Sequence, residues 1–153
     1  MRVEIAARLA TAQDVTRIAA LLEANDLPTA DLADSHPEFL VFEQEAALVG
    51  VGGLELFGEV ALLRSVAVAR DRQKTGLGSS LLRELERHAT QRGIRELVLL
   101  TQTAERFFAR HGYQRIERSA VPGPLQATPQ FRLLCPASAI CMSKRLVSST
   151  ESA

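Results

Sequence analysis

From Val60 to Ser79 the chain runs an apolar stretch, Val60-Ala-Leu-Leu-Arg-Ser-Val-Ala-Val68, into a short basic turn punctuated by Gly76 and Gly78, and then into a helical pattern. Leu77, Leu81, Leu82, Leu85 and Ala89 recur on one face of that helix, Arg83, Glu84, Glu86 and Arg87 on the other, and Gly93 supplies the stop. The next segment, Glu96-Leu-Val-Leu-Leu-Thr101, is a nearly continuous apolar run, as a central strand covered on both faces requires. Strand, helix and strand in this order form a βαβ crossover, which sets two parallel neighbours in a sheet and makes the fold α/β.

The turn itself reads as a phosphate cradle. The first turn of a helix leaves its N–H groups without intrahelical acceptors and carries the positive end of the helix dipole, so an anion is stabilised there. Glycines at 76 and 78 let an anion approach the backbone, and Arg72 and Lys74 add positive charge. Two commoner phosphate loops are excluded. A mononucleotide loop needs four residues between its glycines and a Lys-Ser/Thr pair after the second, whereas Leu77 alone separates Gly76 from Gly78. A dinucleotide fingerprint needs a third glycine where Leu81 stands and an acidic end to the next strand, which here ends in Thr101.

Upstream, Val3, Ile5, Ala7 and Leu9 alternate with Glu4, Ala6 and Arg8 as in a half-buried strand. Thr11 then reads as a helix N-cap with Asp14 three residues on, followed by Val15, Ile18, Ala19 and Leu22 at helical spacing. Asn25 to Pro37 reads as a loop or short helix. From Phe39 to Ala69, β-favouring segments parted by Glu43-Gln-Glu and Phe57-Gly-Glu predict three consecutive antiparallel strands. The 153 residues suit one domain over 1–147, with a frayed tail over 148–153. Balanced charge, 18 basic against 18 acidic side chains, gives no electrostatic case for nucleic acid or a membrane surface as partner. No apolar run approaches the roughly 20 residues of a bilayer span, and charges near the N-terminus argue against a secretory signal, so a cytoplasmic location is expected. Cys135 and Cys141 have the spacing of neither a zinc knuckle nor a redox pair; they read as two small, half-buried thiols, and no metal is expected.

The segment Gln73-Lys-Thr-Gly-Leu-Gly78 resembles the acetyl-CoA signature of the GCN5-related N-acetyltransferase (GNAT) superfamily, Gln/Arg-x-x-Gly-x-Gly. Ala104-Glu-Arg-Phe-Phe-Ala-Arg-His-Gly-Tyr113 is similar to a second family block, a helix turning through glycine into the sixth strand. Leu99 to Phe108, Val121-Pro, Ala127 to Phe131 and Leu134 to Leu146 resemble the small bacterial arsenic-resistance N-acetyltransferases, and the layout is similar to the acetyltransferase domain of N-acetylglutamate synthases. The resemblance implies a mixed sheet of six to seven strands, the second to fourth antiparallel, the fourth and fifth parallel and splayed around the cofactor, with helices on both faces. It implies acetyl-CoA as co-substrate, held by Val66, Ala67 and Val68 through their backbone and by Arg72, Gln73, Lys74, Thr75, Gly76, Leu77, Gly78 and Ser79. It also implies a small amino-acid-like amine as acceptor, in one variant an arsenic-containing analogue of glutamate, and a homodimer.

The chemistry of acetyl transfer needs positioning, a base for the ammonium proton and a donor for the oxyanion, for which the backbone N–H around Val66 is placed. The family's fourth-strand Glu corresponds to Leu62, and its Tyr general acid corresponds to Phe108, so neither is present. Glu55 is the leading base candidate, with Glu59 beside it and His36 behind; Tyr113 reads as a packing aromatic. Arg64 is the odd residue in its apolar strand, expected on the face of Leu62, Val66 and Val68. A buried guanidinium needs an anion: either Glu55 or Glu59, or the carboxylate of an acidic acceptor, for which Arg132 is a second candidate. Prolines between Pro122 and Pro136 predict a stiff, non-helical wall to the acceptor pocket, and Ala139 to Leu146 a closing strand whose Lys144 and Arg145 are surface charges. Two alternatives stay open: an acetyl-CoA-binding regulatory module without catalysis, and an acetyltransferase for protein amines.

Overall fold

The structure, a computed structural model, describes residues 6–25, 27, 29, 38–73, 75–128 and 139–146. Seven strands form one mixed sheet: β1 (Ala6–Leu9), β2 (Glu38–Gln44), β3 (Ala47–Phe57), β4 (Val60–Val68), β5 (Glu96–Thr101), β6 (Gln114–Arg115) and β7 (Ile140–Arg145), in the spatial order β1-β2-β3-β4-β5-β7-β6. Among the described residues four α-helices accompany them: α1 (Val15–Ala24), α2 (Leu77–Gln91), α3 (Glu105–Arg110) and α4 (Gly123–Gln126). The expected βαβ unit is there, with β4 and β5 parallel from Val60↔Glu96 to Leu62↔Val98. The β1/β2, β2/β3, β5/β7 and β6/β7 pairs are antiparallel. Among the described residues, no helix is long and apolar enough to cross a membrane.

The chain divides into two compact units, Met1–Glu55 with Arg64–His88 and Leu56–Leu63 with Ala89–Ala153. In the first, Thr11 makes the cap that its sequence predicts, but on the 3-10 turn Ala12–Asp14 that leads into α1. Gln13 N–H donates to Thr11 Oγ1, and Thr11 N–H donates back to the Asp14 carboxylate at 2.8 Å. Ile18 and Leu22 of α1 then pack with Val41, Val51 and Ala67. Residues alternate across a strand, so the opposite side of β3 carries Gly50 and Gly52. There α2 comes close: a Cβ at Gly52 would overlap the Leu85 side chain, and one at Gly50 would touch Leu81 at 3.6 Å. Both faces of β3 are therefore covered, and the missing side chains let α2 settle on the strand.

The turn between β2 and β3 falls at Glu45-Ala46, with φ of 53° and 68°, two residues beyond where the polar cluster begins. Positive φ at both central residues is the geometry of a two-residue hairpin turn that matches strand twist. In the second unit Leu62, Val98, Val121, Leu125 and Cys141 form the core cluster. The proline-rich stretch departs from the non-helical expectation, because Gly123–Gln126 makes one helical turn with Pro124 in its first positions. Proline lacks only an N–H that has no helical acceptor there, so it is tolerated at a helix start.

Candidate functional site

The predicted cradle begins where β4 ends. Ala69 N–H donates to Val49 O at 2.9 Å, holding the residue just past the strand to β3, and Arg70–Arg72 then forms a single 3-10 turn. Two side chains of this turn reach α1. The Arg70 guanidinium donates twice to Ala24 O, at 3.0 and 2.6 Å, satisfying a carbonyl at the helix C-terminus. The Gln73 amide donates to Val68 O and to Asn25 Oδ1, each at 3.1 Å. Thr75 Oγ1 donates back to Arg72 O, closing the loop on itself.

Gly76 follows with φ +87°, where a Cβ would meet nothing within 4 Å. Glycine is needed there for its conformation, not for lack of room. The first helical bond of α2 runs from Ser80 N–H to Gly76 O at 3.2 Å, so the amides before it lie ahead of the ladder, and no acidic residue stands in the first turn. Arg72 Nε is buried and lacks a hydrogen-bond partner among the described residues. A buried guanidinium nitrogen without an acceptor is costly, and an oxygen-rich anion would satisfy it. The residues present fit a phosphate group. Lys74 lies outside the described residues.

The strand feeding this loop is interrupted. Ser65 has φ +55° in the middle of β4, although it is neither glycine nor at a turn. The expected alternation therefore stops there: Arg64 and Leu62 are buried as predicted, but past Ser65 it is Ala67 that is buried, and Val66 and Val68 are half-buried. No glycine marks the break, so a period-two reading runs straight through it.

Arg64 and Glu55, two separate candidates in the sequence, are partners. Arg64 Nη1 donates to Glu55 Oε1 at 2.7 Å, with the two side chains 1% and 7% exposed. Arg64 Nε donates to Ser65 Oγ at 3.1 Å, which ties the guanidinium to the left-handed residue beside it. Across the hairpin, a Cβ at Gly53 would sit 2.8 Å from the Phe39 ring and 3.3 Å from Arg64 O, so glycine lets both close in. Glu59 points elsewhere, pairing with Arg95 at 2.8 Å on an exposed surface. Arg132, His36 and Cys135 lie outside the described residues.

In the second unit Phe108 packs its edge against Tyr113 at 5.4 Å, and Tyr113 is 3% exposed, as a packing aromatic should be. Leu62 is fully within the core. Cys141 is buried too, and burial pushes its thiol up to about 11 against the opposing pull of Arg118. Among the described residues no group of His, Cys, Asp and Glu is placed to hold a metal ion. The residues that sequence reasoning missed are Arg70 and Ser65. Arg70 carried a signal, a cation just past an apolar strand, but its acceptor lies 46 residues away.

Residues 7–113 match the family described as acetyltransferase (GNAT) family. Among solved structures, N-acetylglutamate synthase from Neisseria gonorrhoeae, complexed with coenzyme A and N-acetyl-glutamate, is similar at a TM-score of 0.82 and 22% identity. The match takes in 96% of this chain and 36% of the synthase, so the chain spans about a third of that protein. Rv2747 from Mycobacterium tuberculosis, in complex with CoA, is similar at 0.77 and 23% identity over 93% of this chain and 99% of its own. The ribosomal-protein-S18-alanine N-acetyltransferase from Escherichia coli is similar at 0.73 and 16% identity over 98% and 99%. At these identities the likeness is one of fold.

Proposed function

The chain belongs to the acetyltransferase (GNAT) family, and from that premise we propose that it transfers the acetyl group of acetyl-CoA to the amine of a small, acidic amino-acid-like acceptor. Transfer is by direct attack, with both substrates bound together. The observation that carries the reading is the start of α2, where the amides ahead of Ser80 and the unsatisfied Arg72 Nε meet a first turn without acidic residues. That is a site for the diphosphate of the cofactor. Arg72, Gln73, Lys74, Thr75, Gly76, Leu77, Gly78 and Ser79 hold it, and Val66, Ala67 and Val68 flank its pantetheine arm. Bound there, acetyl-CoA supplies an acetyl group already activated as a thioester.

The protein's own share is placement and proton transfer. The Val66 N–H serves as oxyanion donor, and the left-handed backbone at Ser65 sets its direction. Glu55 takes the ammonium proton, directly or through one water. Arg64 and Arg132 select an acidic acceptor by its carboxylates. The fold likeness to N-acetylglutamate synthase supports this acceptor class, and the resemblance to arsenic-resistance acetyltransferases extends it to an arsenic-containing glutamate analogue.

The test is release of free CoA thiol when the protein meets acetyl-CoA and a panel of acidic amino acids, their side-chain amides and short peptides. Thiol release with the acidic members alone is the expected result. Preference for peptides moves the acceptor to protein amines. Tight CoA binding with no turnover on any acceptor makes the chain a binding module instead.

A further inference from the structure

Resting on that functional reading, we propose that Arg64 and Glu55 form a partner-exchange device: the acceptor's carboxylate replaces Glu55 on Arg64, and the displaced Glu55 takes the acceptor's ammonium. The two side chains are only 1% and 7% exposed and 2.7 Å apart, so neither charge is left alone in the ligand-free chain. A buried charge cannot lose its partner without a replacement, because desolvation is repaid only inside a pair. An amino-acid zwitterion brings both replacements at once. Before the exchange there is one protein pair and one solvated zwitterion; after it there are two pairs, Arg64 with carboxylate and Glu55 with ammonium. No charge is stranded at either stage.

A simple amine lacks the carboxylate and leaves Arg64 and Glu55 locked together, so the base is released only for the correct acceptor. The pair also stands next to the reacting end of the site by position, since Arg64 donates to Ser65 Oγ and Val66 follows directly. The proton balance closes. The ammonium gives one proton to Glu55, and the neutral nitrogen forms its bond to the acetyl carbon as the carbon–sulfur bond breaks. The nitrogen's surplus proton leaves with the sulfur as thiol, and Glu55 returns its own to water. The amide product has no ammonium, so ionised Glu55 competes again for Arg64 and helps expel it.

The experiment measures binding of glutarate, a dicarboxylate without an amine, by calorimetry, alongside glutamate turnover. Wild type binds glutarate weakly, because Glu55 occupies Arg64; Glu55→Gln removes the competitor and binds it about tenfold tighter. The same variant loses glutamate turnover by about a hundredfold or more. Arg64→Gln abolishes glutarate binding. Should Glu55→Gln fold poorly by circular dichroism, Glu55→Asp, which retracts the carboxylate by one methylene, gives the same direction in both readouts. Equal or weaker glutarate binding in the folded variant overturns the exchange while wild-type turnover of glutamate leaves the acetyltransferase reading standing. No wild-type turnover of any acidic amino acid overturns the functional reading itself.

Discussion

Arg64 and Arg8 lie in the same compact unit and each is matched to a buried carboxylate, yet the first guanidinium is sealed and the second is open to solvent. Arg64 meets Glu55 at 2.7 Å with side chains 1% and 7% exposed. Arg8 is 40% exposed and bridges Asp14 at 2.8 Å and Glu43 at 2.9 Å, while Arg17 adds a contact to Glu43 at 3.2 Å. This network is open at Arg8 but not at Asp14, whose side chain is only 4% exposed, and it holds β1, the start of α1 and β2 together under partial solvent screening. The sealed pair gains little net stability from the same chemistry, since its attraction is set against the desolvation of two ions.

The sharpest way to break the contrast is to remove one partner on each side. Arg64→Met strands Glu55 and is expected to cost about 3–5 kcal/mol in denaturant unfolding. The double replacement Glu55→Leu with Arg64→Met recovers most of that loss, because no charge remains to be desolvated. Acetyl transfer stays lost in the double variant. If the single variant unfolds at the wild-type midpoint, the pair is not sealed in solution.

A third arginine extends the series, because Arg72 has a buried Nε with no partner among the described residues. Arg72→Gln is expected to leave stability unchanged or slightly raised and to weaken CoA binding by about tenfold or more, the worth of one charge-assisted hydrogen bond. Calorimetric titration with CoA checks it, and unaltered affinity would move the diphosphate away from this turn.

These three arginines also show what the sequence made legible. The leucines of α2, the Thr11 cap and the strand–turn–helix around Gly76 are local patterns, legible from residues a few positions apart, and each is found where the spacing puts it. The Arg64 choice between Glu55 and Glu59 needed the hairpin register, and the conformation of Ser65 needed the surrounding strands, because a serine in an apolar run carries no mark of a left-handed turn. Gln73 shows the limit from the other side. Its place in the glycine motif was plain, but the job its amide does, joining Val68 O to Asn25, depends on a helix end 48 residues away.

The open network gives a smaller effect, readable through pH. Hydrogen bonds from Arg8 and from the Thr11 backbone hold the Asp14 carboxyl well below its ordinary value of 3.8, and Arg8 lowers Glu43 as well. A carboxyl depressed in the folded state binds its proton more weakly than in the unfolded chain. The stability it contributes is therefore complete above the ordinary carboxylate range and is lost as the pH falls through it. Asp14→Asn is expected to be less stable than wild type at neutral pH, by less than Arg64→Met, and to lose less on acidification from about pH 5 downward. Matching acid slopes for the two proteins would remove the network from the account. High salt narrows the neutral-pH gap for Asp14→Asn and leaves that for Arg64→Met almost unchanged.

The smallest effect belongs to a buried group with no ionic partner to exchange. Cys141 is 3% exposed and burial lifts its thiol from 9.0 to about 11, so near neutral pH it stays protonated. On a Cys135→Ser background, a disulfide thiol reagent is expected to react with Cys141 slowly in the folded protein and at once after denaturation. The sign of its pH effect is opposite to that of Asp14, because here the charged form is the disfavoured one. The unfolded thiol ionises first, so stability falls as the pH rises from 9.0 towards 11, and Cys141→Ala removes that slope. Rapid modification of the native protein at neutral pH would mean that the core around Leu62 and Val98 opens far more readily than its packing allows.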